Sequence, residues 1–280
     1  MKTKSPTLFA SIAVGLGLMW SPILSSCGAT GAVLTGTLAS MASNMLGTAK
    51  QNFAGDYAGN LEQVLAAMLN DTDLAGTVPA ALLQAPIQLD VGLVKAETVD
   101  GVTTMTPITN GMVLRDGRGV EGEGDDFKVT FESASACHVY VLSIDGTGWA
   151  TPIFPSEPGH QNPVTPNRQY QIPGGNEWFW LDQYRGVETI YFVASNAPRP
   201  DLDEHFANLQ GMERPEFAEE EEVASVEHEF VWDRGIGGRR QGKGTLVTAT
   251  NGQSYTFNPT SFMSAEGSAD LLITRWFSHQ

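Results

Sequence analysis

The sequence is short of positive charge and of cysteine, and it has no apolar run long enough to cross a bilayer comfortably. Sixteen Lys and Arg face thirty-two Asp and Glu, a formal charge of −16. Phosphate binding needs a basic footprint, so nucleic acid is not an expected partner. Docking on anionic lipid by charge alone is disfavoured for the same reason. Charged residues make up only 17% of the 280 and apolar ones 41%, too greasy for a disordered acidic chain and ample for one large domain, or one with a smaller attachment. Thirty Gly and fifteen Pro point to many turns and not to a helical bundle.

Catalytic and metal-ligating patterns are scarce as well. The five histidines, His138, His160, His205, His228 and His279, form no His-x-x-x-His or His-Glu-x-x-His spacing. There is no Gly-x-Ser-x-Gly elbow, and the basic, Gly-rich stretch from Gly235 to Gly242 lacks the Gly-Lys-Ser/Thr that opens a phosphate loop. That stretch reads as a flexible hairpin loop. Cys137 and His138 are adjacent, and strand neighbours point to opposite faces, so they cannot form a dyad. Cys137 reads as a small buried hydrophobe. Acidic groups near His205 and His228, and the run Glu219 to Glu222, read as solvated surface. No cofactor, metal or catalytic residue is expected.

The first thirty residues form an address. Lys2 and Lys4 precede an apolar stretch from Leu8 to Trp20, the shape of an export signal. It ends in Leu24-Ser25-Ser26-Cys27, which resembles the lipobox of bacterial lipoproteins. The resemblance implies a diacylglycerol on the Cys27 thiol, cleavage after Ser26 and acylation of the new amino terminus. Gly28, not Asp, follows the cysteine, which under the lipoprotein sorting pattern implies the outer membrane. A generic signal or uncleaved anchor, with Cys27 incidental, is the alternative. Cleavage would remove two basic residues and no acid, leaving fourteen against thirty-two and a charge of −18. Cys137 would then be the remaining thiol, and the fold would rest on its core without an internal disulfide.

Beyond the signal, residues 27–85 read as a lipidated N-terminus and a small helical region. Leu34, Leu38, Met41 and Met45 recur at helical spacing. Either this stripe packs on the body or partner, or residues 28–49 enter the bilayer; six large apolar side chains are thin for a span. Asn60 with Gln63 suggests a capping box ahead of the face Leu61, Val64, Leu65, Met68 and Leu69. Near Pro86 the period becomes two, with Ile87, Leu89, Val91 and Leu93. Asp100-Gly101, Asn110-Gly111 and Asn251-Gly252 are hairpin signals. Short β-rich runs follow, at 127–132, 138–144, 149–154, 169–172, 178–181 and 189–194. Pro152, Pro155 and Pro173 are placed to blunt edge strands. Residues 199–225 read as an acidic helix and loop, with a helix over 201–210. Residues 226–280 read as C-terminal strands packing on the sandwich, at 226–232, 245–250, 254–257 and 271–277. The fold class is mainly β with a small α region: an antiparallel, immunoglobulin-like β-sandwich with extra C-terminal strands.

Residues 86–198 carry a family resemblance as well. Val113-Leu114-Arg115-Asp116-Gly117, Val139 to Asp145, Pro152-Ile153-Phe154-Pro155, Asn162-Pro163, Tyr170 to Gly175 and Glu188 to Ser195 resemble, in order and spacing, the family called domain of unknown function 4384. The resemblance covers about residues 113–198. It implies a β-sandwich-like module of exported or multidomain bacterial proteins, with no catalytic residues assigned. The Gly-rich acidic stretch 117–124 departs from the pattern.

One cluster stands out. In Trp178-Phe179-Trp180, alternation puts the two indoles on one face and Phe179 on the other. Exposed, Trp178 and Trp180 would form a platform for sugar rings or a partner's apolar side chains; buried, they would be sandwich core beneath the helical region. The expected function is that of a lipid-anchored, non-enzymatic envelope protein, a scaffold with a protein partner. A glycan-binding module using Trp178 and Trp180 is the runner-up, and a hydrolase the third reading, which would require a cleft of converging Cys, His or carboxylate groups with perturbed pKa values.

Overall fold

The structure is a computed structural model, and it describes residues 43–53, 55–69, 86–117, 124–156, 162–217, 222–228, 231–249 and 251–280. Cys27, the signal, most of the 28–49 stripe, His160 and residues 118–123 lie outside them.

Two helices open the described chain, α1 (Ser43–Asn52) and α2 (Gly55–Leu69). The expected cap at Asn60 is wrong. The apolar stripe starts one turn earlier, at Tyr57, and the helix begins at Gly55 with Asp56 in its first turn, where the dipole favours an acid. Asn60 lies inside α2, and its amide donates to the Met212 sulfur, 3.5 Å.

Fourteen strands and one more helix follow: β1 (Gln88–Val99), β2 (Val102–Pro107), β3 (Val113–Leu114), β4 (Asp125–Ser133), β5 (His138–Ile144), β6 (Ala150–Phe154), β7 (Gln169–Ile172), β8 (Phe179–Trp180), β9 (Gly186–Ser195), α3 (Pro200–Gln210), β10 (Ile236–Gln241), β11 (Thr245–Thr248), β12 (Ser254–Phe257), β13 (Thr260–Ser264) and β14 (Asp270–His279). Seven strands make one sheet, with order β10-β13-β1-β4-β7, β2 beside β1 and β8 beside β4; five make the second, β3-β14-β9-β5-β6; β11 and β12 form a separate hairpin. All pairs are antiparallel except β3 with β14.

The two sheets face each other across one core. Leu89, Val91, Leu93, Val129, Phe131 and Phe262 meet Val139, Val141, Ile190, Phe192, Ile273 and Phe277. The five-stranded sheet is buried on its other side too. There Tyr140, Leu142, Ile144, Tyr191, Val193 and Leu272 pack under Leu61, Leu65, Met68, Leu202 and Phe206 of the helices. A strand covered on both faces needs apolar residues at every position, which is why 139–144 and 190–194 read as near-continuous apolar runs. Each such side chain removed from water contributes about 1.5–3 kcal/mol. The seven-stranded sheet gains only a small outer cover, where Val247 and Phe257 of the hairpin meet Val94. Gly92 makes this possible: a Cβ there would lie 2.4 Å from the Phe257 ring.

Several expectations change. Asn110-Gly111 turns the chain but forms no hairpin; β2 belongs to one sheet and β3 to the other, so this turn carries the chain across the sandwich. Residues 235–242 are not a flexible loop. They hold β10, an edge strand on β13, with a register shift at Gly237, where a Cβ would lie 2.8 Å from Ala265. The strand expected at 226–232 is absent among the described residues; Val226 is buried, and its backbone bonds Gly146 and Val187 instead. Strand β13 went unread. The C-terminal strands β13 and β14 are interior members of the two sheets. Pro152 sits in the edge strand β6, and Pro173 follows the edge strand β7.

One ionic network joins the helices to this body. The Arg199 guanidinium is buried and bonds the buried Asp270 carboxylate, Asp201 at 2.6 Å and the Ala67 carbonyl at 2.7 Å. Arg234 donates to the Met68 carbonyl, 3.0 Å. Two arginines thus satisfy orphan carbonyls at the C-terminal end of α2, where cations are favoured. Arg199→Met should destabilise the protein by about 3–5 kcal/mol in urea unfolding, since it leaves Asp270 buried beside a lost partner. Asp201→Asn, at the half-exposed arm, should cost no more than about 1 kcal/mol.

Candidate functional site

The chain's local turns build a cleft at one open end of the sandwich. Strand β5 ends in Asp145-Gly146, and a Cβ on Gly146 would lie 2.7 Å from the Arg185 carbonyl, so the turn can nest against the start of β9. Opposite, β8 hangs Phe179 and Trp180 from the edge of β4. Between them lies a cleft of about 300 Å³. Apolar walls come from Phe127, Ile153, Phe179 and Leu181, and charge from Asp145, Asp182, Glu188 and Arg214.

Most of that charge is spent internally. Asp145 Oδ1 accepts from the Thr147 amide (2.8 Å), the Thr147 hydroxyl (2.6 Å) and the Trp149 amide (3.0 Å). Its Oδ2 meets Arg214 Nη2 at 2.8 Å. Arg214 Nη1 donates to Asp182 Oδ2 at 2.9 Å, while Asp182 Oδ1 accepts from the Tyr184 amide at 2.8 Å. The guanidinium also lies over the Tyr184 ring, 5.0 Å from its centroid. Burial pushes the Asp145 carboxyl up, against the pull of Arg214.

Glu188 is the exception. It is 7% exposed, and its Oε1 takes the Gly146 amide at 3.1 Å and His279 Nδ1 at 3.3 Å. Among the described residues no hydrogen bond reaches its Oε2. Burial is the main cause of a carboxyl pKa raised to about 7; the His279 hydrogen bond opposes it, and the Asp145 charge adds to it.

The two tryptophans part company. Trp180 is 73% exposed at the rim. Trp178 is half-buried against the β11–β12 hairpin cluster, with the Lys128 ammonium 5.1 Å from its ring centroid and its indole N–H buried without a partner among the described residues. Lys128 is fully buried and donates to the Gly175 carbonyl, 2.7 Å. So the pair is neither a two-indole solvent platform nor core beneath the helices. Both residues still line the cleft, and Phe179 packs on the sandwich core as alternation predicts. Cys137 is buried, 3.2 Å from the Ser133 hydroxyl, while His138 is half-buried. Among the described residues no three His, Cys, Asp or Glu side chains are grouped to hold a metal.

Residues 122–198 match the sequence family described as Domain of unknown function (DUF4384). A DUF4384 domain is found there. Neither the curated proteins nor the solved structures include one that matches the chain. The DUF4384 segment supplies β4 to β9, and with them Asp145, Trp178, Trp180, Asp182 and Glu188. Arg214 and His279, which lock those carboxylates, lie beyond its end.

The sequence reading missed the cleft's charged groups. Glu188 left one trace, as a lone acid beside the apolar run of β9. Arg214 and His279 left none, because only the fold brings them across 32 and 91 residues to their partners.

Glu188 sets a pH dependence. Its carboxyl titrates at 4.5 when unperturbed and at about 7 in the fold. Between those values the folded protein keeps a proton that the unfolded chain has lost, so stability falls as pH rises through that window. The loss should be on the order of 1–3 kcal/mol between pH 5 and 7.5. Glu188→Gln should flatten this part of the profile in urea titrations, and an unchanged slope would contradict the assignment.

Proposed function

We propose that this protein is a lipid-anchored, non-enzymatic binding module of the bacterial cell envelope, held to the outer membrane through acyl chains on Cys27. The basic start, apolar run and Leu24-Ser25-Ser26-Cys27 support the anchor. Each buried methylene contributes about 0.8 kcal/mol, and more than one chain is needed for stable attachment. No helix among the described residues is long and apolar enough to cross a membrane.

The observation that carries the binding reading is the cleft itself. Asp145, Asp182 and Arg214 hold one another and brace the site, while Glu188, with its raised carboxyl beside His279, is the one feature that meets the requirement set for a hydrolase. Cys137 lies buried elsewhere, 3.2 Å from the Ser133 hydroxyl. What faces outward is a large exposed indole at the mouth, the kind of group that anchors a contact. The geometry favours this over a flat glycan platform, since one indole is exposed and its neighbour is packed. Attachment at one membrane would raise local concentration and relax the demand for intrinsic affinity.

Cys27→Ser should abolish labelling by an alkyne-tagged palmitate analogue and move the protein from the membrane to the soluble envelope fraction. A photo-crosslinking residue at position 180 should give discrete envelope adducts that the same residue at Val102, also exposed, does not. Unchanged fractionation of Cys27→Ser would overturn the anchor; identical adducts from both positions would overturn the binding face.

A further inference from the structure

We propose that the cleft at the sandwich end is a site for an organic ammonium ion, such as a primary alkylamine or a lysine side chain, whose charge docks on Glu188 Oε2 and whose apolar body lies against Ile153, Phe179 and Leu181 under Trp180. This deepens the binding reading above and rests on it.

The charge balance points to a cation. Three carboxylates line the cleft against one guanidinium. That guanidinium is already shared between Asp145 and Asp182, at 2.8 and 2.9 Å. Glu188 faces the cleft beside the His279 imidazole, which is a cation only when protonated, and keeps one oxygen unused by the described residues. A buried carboxylate is stabilised by a paired, hydrogen-bonding ammonium far more than by a neutral hydroxyl. The walls fit the rest of such a ligand. Phe127, Phe179, Trp178 and Trp180 bring aromatic rings to a small volume, and cations favour aromatic faces. The fold already uses that pairing one layer away, with the Lys128 ammonium over Trp178. The volume, about 300 Å³, sits at the small end of ligand sites and suits a single side chain or small amine.

A neutral sugar fits less well. Hydroxyls need free donors and acceptors, and Asp145 and Asp182 have each engaged both oxygens within the protein. Sugar stacking would also draw on a second open indole.

Four charged or titratable groups surround Glu188: His279 from β14, Asp145 from the β5 turn, Arg214 from the segment after α3, and Asp182 after β8. An amine with a lysine-like pKa of about 10.4 stays charged through neutral pH, so the pH dependence of binding belongs to the protein. The ligand meets an ionised Glu188 above pH 7 and a protonated one well below it, and binding at low pH must expel that proton.

Isothermal titration calorimetry on the full chain tests this, with n-butylammonium chloride, N-acetyl-lysine methylamide, n-butanol and N-acetylglucosamine as probes at constant ionic strength. The expected result is saturable binding of both ammonium probes, at least tenfold tighter at pH 8 than at pH 5.5, with n-butanol at least tenfold weaker. Glu188→Gln should weaken both ammonium probes tenfold or more, and Trp180→Ala severalfold, with unchanged circular dichroism. A marked preference for the lysine probe identifies a peptide source; parity identifies a free amine. If n-butanol binds as well as the amine, or if Glu188→Gln changes nothing, the proposal fails. Binding of N-acetylglucosamine alone replaces it with a polyol site. If no probe binds while position 180 still gives discrete envelope adducts, the ligand class falls and the binding reading stands; if both fail, both fall.

Discussion

The structure depends on burying the five-stranded sheet from both sides. Strands β5, β9 and β14 have no polar face to give to solvent: Tyr140, Leu142 and Val193 look toward the helices, and Val139, Val141 and Phe192 toward the other sheet. A two-layer sandwich alone would leave one of these faces in water. The helical layer is therefore an obligatory third layer, and Arg199 is the bolt that holds it. Its guanidinium reaches β14 through Asp270, the start of α3 through Asp201 and the end of α2 through the Ala67 carbonyl. An ion pair so deep does little for stability compared with an apolar replacement of its shape. It also ties three elements together, because α2, α3 and β14 must all be in place for the guanidinium to be satisfied in full.

The cleft inherits its geometry from that arrangement. Helix α3 is seated by Arg199 at its start, and the chain leaving it delivers Arg214 to Asp145 and Asp182. Strand β14 runs the full length of β9 and presents His279 to Glu188 at the far end. The segment matching DUF4384 therefore holds the carboxylates and indoles, while the parts that lock them come from outside it. Two of its strands also have a partner outside it: β4 pairs with β1, and β9 with β14.

Much of the fold was legible in the sequence. Period-two alternation placed β1, and continuous apolar runs placed β5, β9 and β14 within a few residues, because burial dictates those residues directly. Asp100-Gly101 and Asn251-Gly252 each join the strands they were expected to join; Asp100 and Gly101 both have positive φ, which that turn demands. The failures share a cause. Thr260–Ser264 and Ile236–Gln241 have weak local patterns and become strands because long-range pairing recruits them. Asn110-Gly111 has the same local chemistry as a hairpin turn, and only tertiary context decides that it crosses between sheets. The site was less legible still. Trp178 and Trp180 share a face by alternation, yet the hairpin formed some seventy residues later covers one and leaves the other bare. Alternation specifies direction, not what another segment will lay on top.

The helices and both sheets form one cooperative body, of which the cleft is a fixed part. Hydrogen exchange followed by mass spectrometry reads this cooperativity element by element. Amides of Gly55–Leu69, Gly186–Ser195 and Asp270–His279 should open with closely similar free energies, near that of global unfolding, and should lose protection together as urea is raised. Helix α2 exchanging orders of magnitude faster than β9 and β14 would instead make the helices an appendage on a sandwich that stands without them.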